Sequence, residues 1–334
     1  MDNLENKVED VYNRYLYPCP NSIPQNRSEL LNLVKIIKME GVCSFENRKV
    51  LDAGTGTGHR LIELVKNFPN NKFKAIDFSQ KSLDTAKQVA KSAKCDEISF
   101  EKSNILKDIK SLGCFDTIFC MGVLHHLVDP DLGLKNLSSI LSDNGLIFAY
   151  VYGKYGSADR IKQKNIVKSL LGKSVGDFEK GIELVKELDI KNSSYGWNIK
   201  AGSNEEEDVL IVDSLLNVNE KLYDFEELDR LMTQSGLYGY SIFGVTVKDV
   251  GLLFESREEV ENPMMLAQTN LDKIQKSKIA MDSYKKLNIK EKCKLLELLY
   301  EPNGYTVVGF TKSAFENLKD GSRLKENFIR CKKD

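Results

Sequence analysis

The chain has 334 residues, of which 41% are hydrophobic, 29% are charged and only 7 are prolines. This composition excludes a disordered or fibrous protein and indicates one or two globular domains with a sizeable core. Because 48 Lys and Arg face 49 Asp and Glu, the net charge of -1 supplies no general positive field, which disfavours nucleic acid as a partner.

The start of the chain and its cysteines indicate where the protein works. Residues 1–10 lack the basic and apolar regions of a signal peptide, and no apolar run approaches the roughly 18 to 20 residues of a membrane span. The 7 cysteines form no CxxC pair. We therefore expect a cytoplasmic protein with reduced thiols, no membrane partner and no metal site.

Residues 1–45 are predicted to form an amino-terminal arm. A Tyr-rich stretch, VYNRYLYPCP, precedes a helix predicted over residues 28–39. The aromatic rings of Tyr12, Tyr15 and Tyr17 have two interpretations: they pack the arm onto the rest of the protein, or they form a lid that binds the substrate.

From residue 48 short apolar runs alternate with helix-length amphipathic segments. This alternation is typical of a parallel α/β sheet and predicts a doubly wound core over residues 46–152. The predicted strands are 49–53, 73–77, 98–102, 115–122 and 146–152. Helices are predicted at 58–68, 80–93 and 131–141, and Asp143-Asn144-Gly145 is a strong turn signal.

Beyond residue 152 the alternation fades. Helices are predicted at 177–189 and 224–235, and strands at 238–247 and 305–312. We therefore expect a cap segment over 153–237, two last strands over 238–312 with a helical insertion at 248–304, and a tail at 313–334.

The most informative segment is the turn after the first strand, LDAGTGTG, which contains Asp52, Thr55 and three glycines at alternate positions: Gly54, Gly56 and Gly58. Glycine lets a backbone turn sharply and approach a ligand closely. A strand, a glycine-rich turn and a helix amino terminus mark the crevice where doubly wound sheets bind nucleotides.

The charge of this turn bears on the class of nucleotide. Dinucleotide enzymes use G-x-G-x-x-G, but His59 stands at the third glycine, and the carboxylate of Asp52 would repel a pyrophosphate. Asp52 suits a ligand that carries an ammonium and a sulfonium beside an adenosine, as S-adenosylmethionine does.

Polar residues after the next two strands support an adenosine ligand. Asp77 closes the second strand, near the spacing at which a carboxylate binds both ribose hydroxyls. Phe78 is predicted to pack on the adenine face. Asn104 is placed to hydrogen-bond the adenine edge, with Ile105 as an apolar neighbour.

In these motifs the sequence resembles the class I S-adenosylmethionine-dependent methyltransferases. The resemblance covers residues 46–152 and includes LDAGTGTG, AIDFS, FDTIFCMGVLHHL and LSDNGLIFAYV. It implies a mostly parallel, seven-stranded sheet with helical cap insertions and S-adenosylmethionine as cofactor. It also implies that the three glycines line the methionine part of the donor and that Met121 and Gly122 lie at the methyl-bearing face.

Three further segments resemble, more loosely, a bacterial subgroup of this family with a Tyr/Pro-rich arm. They are YLYPCP, residues 215–237 and KLLELLY. The sequence departs from that subgroup at Cys19, where a second aromatic residue is expected. This resemblance adds architecture without a substrate.

Methyl transfer to an amine or hydroxyl needs a group that removes a proton, and histidine suits this role near neutral pH. His125 and His126 follow the fourth strand, where the methyl is expected. We predict that one of them, His125 in preference to His126, contacts the acceptor or acts as base. The alternative is that His126 only positions the loop.

The predicted function is an S-adenosylmethionine-dependent methyltransferase that acts on an N or O nucleophile of a small molecule or peptide. A protein or tRNA methyltransferase is the alternative within the class, and the Lys-rich stretch 271–294 is either a solvated helix face or a patch for an acidic acceptor. From other classes, a nicotinamide-dependent oxidoreductase and a non-catalytic nucleoside-binding module stay open.

Overall fold

The structure is a computed structural model of the whole chain. It describes residues 2–21, 28–41, 45–107, 109–190, 203–247, 251–252, 274 and 276–331.

The described residues form one sheet and helices on both of its faces. The strands are β1 Lys49–Ala53, β2 Lys72–Asp77, β3 Ser99–Lys102, β4 Phe115–Met121, β5 Leu141–Tyr152, β6 Gly239–Val247, β7 Gly251–Leu252, β8 Gly304–Phe310 and β9 Ile329–Arg330. The helices up to the cap are α1 Asp2–Arg14, α2 Glu29–Met39, α3 His59–Asn67, α4 Gln80–Ser92, α5 Pro130–Ser139 and α6 Ala158–Leu171. The later helices are α7 Phe178–Glu187, α8 Asn204–Ile211, α9 Phe225–Gln234, α10 Lys278–Tyr284, α11 Ile289–Tyr300, α12 Lys312–Glu316 and α13 Arg323–Glu326.

The strand order is β3-β2-β1-β4-β5-β8-β6-β7, with β9 paired to β6. Strands β1 to β5 pair in parallel, and β8 lies antiparallel between β5 and β6. The prediction of a doubly wound, mostly parallel sheet is confirmed, but over the described part of the chain the sheet has nine strands where seven were predicted. Among the described residues, two strands of 2 residues each, β7 and β9, extend it.

Alternate residues of the central strands bury opposite faces of the sheet, as the period of two in a strand requires. Phe119 and Phe148 pack in the cluster that contains α2 and α3. Ile118 and Ile147 pack in the cluster with α5 and α9. Both faces are covered, which explains why these strands read as continuous apolar runs.

The turn signal at residues 143–145 lies inside β5. Phe115 pairs with Leu141 and Thr117 pairs with Leu146, so four residues of β5 stand opposite one residue of β4. The predicted turn is therefore a bulge that interrupts the ladder, and the strand starts five residues earlier than predicted.

The cap segment forms a third cluster beside the sheet. Apolar residues of α6, α7 and α8 pack together, and Val11 of α1 joins them. A π-helical segment, Val212–Leu216, continues α8. Within the described ranges no helix is long and apolar enough to cross a bilayer.

The predicted insertion 248–304 is described only in part. Residues 253–273 lie outside the described residues, as does part of the Lys-rich stretch 271–294. Its described portion contains α10 and α11. Both helices begin with a side-chain cap, from Ser277 and Asn288.

Candidate functional site

A cavity of about 230 Å³ lies at the carboxyl ends of the parallel strands. This is the edge at which doubly wound sheets bind their ligands. Of the residues predicted from sequence, the cavity is lined by Tyr12, Tyr17, Gly54, Thr55, Gly56, Asp77, Phe78, Asn104, Ile105, Met121, Gly122 and His126. Tyr15, Asp52, Gly58 and His125 do not line it.

The turn after β1 has the backbone that only glycine adopts easily. Gly54 has φ 80° and Gly56 has φ 55°. A Cβ at Gly54 would lie 2.3 Å from Val123 Cγ2, and a Cβ at Gly56 would lie 2.3 Å from the carbonyl oxygen of Tyr17. The two glycines therefore let the turn pack under the arm and the β4 loop while its backbone faces the cavity.

Gly58 has a different task. It is the residue before α3, with φ 79°, and a Cβ there would lie 3.0 Å from the Cβ of Ala86 in α4. Gly58 was predicted to contact the cofactor, but it does not line the cavity. It permits the close packing of α3 and α4 behind the turn.

The carboxylate of Asp52 lies behind the turn. Its Oδ2 accepts a hydrogen bond of 2.7 Å from the hydroxyl of Thr55. Burial raises the pKa of Asp52 to about 6. Asp52 is therefore not among the residues that line the cavity; it holds the turn through Thr55, which does line it, and its contact with the donor stays a prediction.

Asp77 presents its carboxylate to the cavity in a fixed orientation. Its Oδ2 accepts a bond of 2.9 Å from the Gly56 N–H, and its Oδ1 accepts one of 2.9 Å from the Ser79 N–H. Burial raises the pKa of Asp77, and these two backbone donors oppose that shift. Because each oxygen has a second lone pair, both can still accept from a ligand hydroxyl.

Asn104 lies across the cavity from this turn, under the arm. Its amide donates to Glu5 Oε2 of α1 at 3.0 Å, and its Oδ1 accepts from the Leu106 N–H at 2.9 Å. Glu5 therefore uses one of the two amide N–H groups of Asn104, the side chain predicted to hydrogen-bond the adenine edge. Ile105 provides the predicted apolar neighbour.

Helix α1, which sequence reasoning missed, covers the cavity. Glu9 pairs with Lys102 at 2.9 Å, and Asn13 accepts a bond of 2.7 Å from the Ser79 hydroxyl. Tyr12 and Tyr17 line the cavity, whereas Tyr15 packs edge-on against Phe178 with the ring centroids 5.7 Å apart. Of the two interpretations of the tyrosines, the lid describes the first two residues and packing describes Tyr15.

The two histidines of the β4 loop occupy different places. His125 is fully buried and stacks on Tyr152, with the ring centroids 3.8 Å apart. Burial lowers the pKa of His125 well below the usual value, so its ring is neutral. The expectation that His125 is the preferred base is therefore corrected, because its ring lies beneath the cavity wall.

His126 lines the cavity. Its Nδ1 lies 3.0 Å from the carbonyl oxygen of Asn219, which only accepts, so Nδ1 carries the proton. Burial lowers the pKa of His126 as well. The free lone pair is then on Nε2, which lies 4.0 Å from Oδ1 of Asp213.

Several lining residues were not found from sequence. Tyr150 and Tyr152 end β5 at the same edge of the sheet, and that position was a usable signal. Arg60 pairs with buried Glu29 at 3.1 Å and donates to the carbonyl of Met121 at 2.8 Å. No sequence pattern pointed to Asp213, because the cap helices have no motif that places them over the sheet.

Comparison with known proteins finds a family model that matches part of the chain. The model, described as a methyltransferase domain, matches residues 44–193. These residues form a methyltransferase domain of the class I S-adenosylmethionine-dependent type.

Individual relatives of the chain are distant. An uncharacterised protein of Synechococcus sp. is 32% identical over 198 residues, which cover 57% of this chain and 47% of that protein. A malonyl-[acyl-carrier protein] O-methyltransferase of Halalkalibacterium halodurans is 25% identical over 193 residues, which cover 57% of this chain and 69% of the relative. The chain spans about half the length of the first curated relatives that it matches.

The fold of the chain recurs in a solved structure. PKMT2 from Rickettsia typhi superposes with a TM-score of 0.59 at 18% identity, over 85% of this chain and 55% of that chain. At this identity the likeness concerns the fold alone.

The residues of the cavity fit the methyl donor of the family, S-adenosylmethionine. Asp77 offers a carboxylate with both oxygens oriented by backbone donors, which suits the two hydroxyls of a ribose. Five acidic residues line the cavity against one arginine, which suits a positively charged donor. The acids are Glu5, Glu29, Asp77, Glu206 and Asp213, and the arginine is Arg60.

Proposed function

We propose that this protein transfers a methyl group from S-adenosylmethionine to an N or O nucleophile of a small molecule or peptide. The observation that carries the proposal is the Asp77 carboxylate, oriented by the Gly56 and Ser79 amides at the cavity rim. The proposed donor contacts are Gly54, Thr55, Gly56, Asp77, Phe78, Asn104, Ile105, Met121 and Gly122, all of which line the cavity.

The donor would supply an electrophilic methyl group on a positively charged sulfur. The protein then has three tasks: to align the acceptor, to exclude water and to accept a proton. Helix α1 and the end of α8 cover the cavity and exclude water. We propose that Nε2 of His126 accepts the proton, because its Nδ1 proton is held by the Asn219 carbonyl.

The enclosure of the cavity favours a small or slender acceptor. We propose that the arm (1–45) and the cap segment (153–237) enclose the acceptor site, while the core (46–152) holds the donor. The acidic lining disfavours tRNA, whose phosphates would be repelled. The described cysteines form no disulfide bond with one another, which supports a reducing compartment such as the cytoplasm.

Methyl transfer from isotope-labelled S-adenosylmethionine tests this proposal. Purified protein is incubated separately with amines, alcohols, phenols, short peptides, a protein extract and tRNA. We expect label in a small-molecule or peptide fraction. Label confined to tRNA or to intact protein would contradict the proposed acceptor class.

Thermal-shift measurements separate the other function classes. We expect stabilisation by S-adenosylhomocysteine and none by NADH. Stabilisation by NADH alone would indicate an oxidoreductase. Stabilisation by S-adenosylhomocysteine with no label in any fraction would indicate a non-catalytic binding module.

A further inference from the structure

Two hydrogen-bond acceptors face each other in the cavity. Oδ1 of Asp213 lies 4.0 Å from Nε2 of His126, whose lone pair is free because Nδ1 donates to Asn219. A carboxylate oxygen and an imidazole lone pair repel at this separation unless a donor lies beside both. A group that donates at least two hydrogen bonds would satisfy both acceptors, because Oδ1 keeps a lone pair beside the one that accepts from the Tyr12 hydroxyl.

The other partners of Asp213 are uncharged. Its Oδ1 accepts from the Tyr12 hydroxyl at 3.2 Å, and its Oδ2 accepts from the Tyr152 hydroxyl at 3.4 Å. Within the part of the chain that the structure describes, His126 alone reaches Asp213 at ion-pair distance. Burial lowers the pKa of His126, which favours its neutral form, although the nearby Asp213 opposes that shift.

Nearby cations are bound to other carboxylates. Arg60 pairs with Glu29 at 3.1 Å. Arg160 pairs with Glu220 at 2.7 Å, and Lys164 also pairs with Glu220. These pairs leave the negative charge of Asp213 directed at the cavity, where it is 8% exposed.

The cavity walls around Asp213 are aromatic and aliphatic. Tyr12, Tyr17, Tyr150 and Tyr152 contribute rings, and aromatic faces attract cations. Val128, Val209 and Leu210 contribute an apolar surface that fits a hydrocarbon chain. The Asp213 segment is also π-helical, a conformation that is frequent at functional sites.

We propose that the acceptor is a primary or secondary amine on an aliphatic chain, with its ammonium bound between Asp213 Oδ1 and His126 Nε2. This inference rests on the proposed methyltransferase function and narrows its acceptor class. Asp213 binds the charge, the tyrosines surround it, and the apolar wall holds the chain.

The reaction balances with the groups present. Nε2 of His126 takes one proton from the bound ammonium, and Asp213 stabilises the imidazolium that forms. The nitrogen lone pair then forms an N–C bond to the methyl carbon as the S–C bond breaks, and the electron pair of that bond stays on sulfur. The product is a methylated ammonium and a neutral thioether, and His126 releases its proton to water.

The test uses the 334-residue chain saturated with S-adenosylhomocysteine. n-Butylammonium chloride and n-butanol are titrated into wild type, Asp213→Asn and the control Glu207→Gln, whose side chain is exposed on α8. We expect n-butylammonium to bind wild type and control alike and to bind Asp213→Asn about tenfold to a hundredfold more weakly. n-Butanol should show no such difference.

A turnover assay with S-adenosylmethionine completes the test. n-Butylamine and Nα-acetyl-lysinamide should be methylated on nitrogen, with the rate lost in Asp213→Asn. Methylation of n-butanol instead, or equal binding of n-butylammonium by Asp213→Asn, would overturn the proposal.

The affinity for S-adenosylhomocysteine distinguishes a failure of this inference from a failure of the proposed function. Asp213→Asn should keep the wild-type affinity for S-adenosylhomocysteine. A tenfold loss of that affinity would assign Asp213 to the donor and overturn the amine site. Failure of wild type to bind S-adenosylhomocysteine would contradict the proposed function itself.

Discussion

Asp52 and Asp77 are buried carboxylates at the same edge of the sheet, and their surroundings give them different tasks. Asp77 is oriented by two backbone N–H groups and faces the cavity. Asp52 accepts from the Thr55 hydroxyl and lies behind the turn. The spacing of the two acids was visible in the sequence, but the side of the turn on which each carboxylate lies depends on backbone geometry.

The raised pKa of Asp52 predicts a pH-dependent stability. Burial raises this pKa from 3.8 to about 6, so between pH 4 and 6 the unfolded chain loses a proton that the folded chain keeps. The free energy of unfolding therefore falls as pH rises through this window, by up to about 3 kcal/mol from this group. Asp52→Asn lacks this loss because its amide does not titrate. Its amide oxygen can still accept the hydrogen bond from Thr55.

Urea unfolding at pH 4, 5, 6 and 7 measures the effect. The difference in unfolding free energy, Asp52→Asn minus wild type, should grow with pH across this range. Asp282→Asn, at an exposed position, is the matched control. A difference that stays constant from pH 4 to 7 would contradict the account of Asp52.

At the residue scale most of the residues predicted to bind the donor line the cavity. The residues of the glycine turn and of the β2, β3 and β4 ends follow from their place after apolar strands. The acceptor side was predicted less well, because Asp213 and Tyr152 come together only through packing of the cap on the sheet. Which of His125 and His126 faces the cavity depends on a short 3-10 turn that no sequence pattern specifies.

At the scale of elements, strands were easier to predict than helices α1 and α6. Buried parallel strands read as apolar runs, and β1 was placed at its observed bounds. Helix α6 buries Arg160 against Glu220, so its sequence looks polar on the face that is inside. Helix α1 was not predicted; it ends in a Tyr-rich stretch that is followed by prolines, which disfavour a helix.

The junction between α3 and α4 gives a prediction at this scale. Gly58→Ala would place a Cβ 3.0 Å from the Ala86 Cβ at φ 79°, which costs both backbone strain and packing. Gly236→Ala, at φ 87° with nothing within 4 Å, costs the strain alone. We expect about 1 kcal/mol of destabilisation for Gly236→Ala and about 2 kcal/mol or more for Gly58→Ala.

Denaturant unfolding of the two variants measures these costs. An equal loss of unfolding free energy in both would show that Gly58 is required for its φ angle alone. A larger loss in Gly58→Ala would support the close approach of α3 and α4.

At the scale of the whole molecule, the sheet and the two segments that lie over it, the arm and the cap, have different roles. The sheet carries the glycine turn and Asp77 on its carboxyl edge. The arm and cap lie over that edge and meet at Tyr12, which joins α1 to Asp213. Neither part alone encloses the cavity, so the enclosure depends on both parts docking on the core.

Calorimetric titration of the pure protein with S-adenosylhomocysteine tests the central claim most directly, namely that the cavity at the carboxyl edge binds the methyl donor. Wild type should release or absorb heat with a one-site isotherm, and Asp84→Asn, exposed on α4, should match it. Asp77→Asn should bind about tenfold or more weakly, because it loses a charged acceptor for the ribose hydroxyls. An absence of heat with wild type, or an unchanged affinity in Asp77→Asn, would contradict the account.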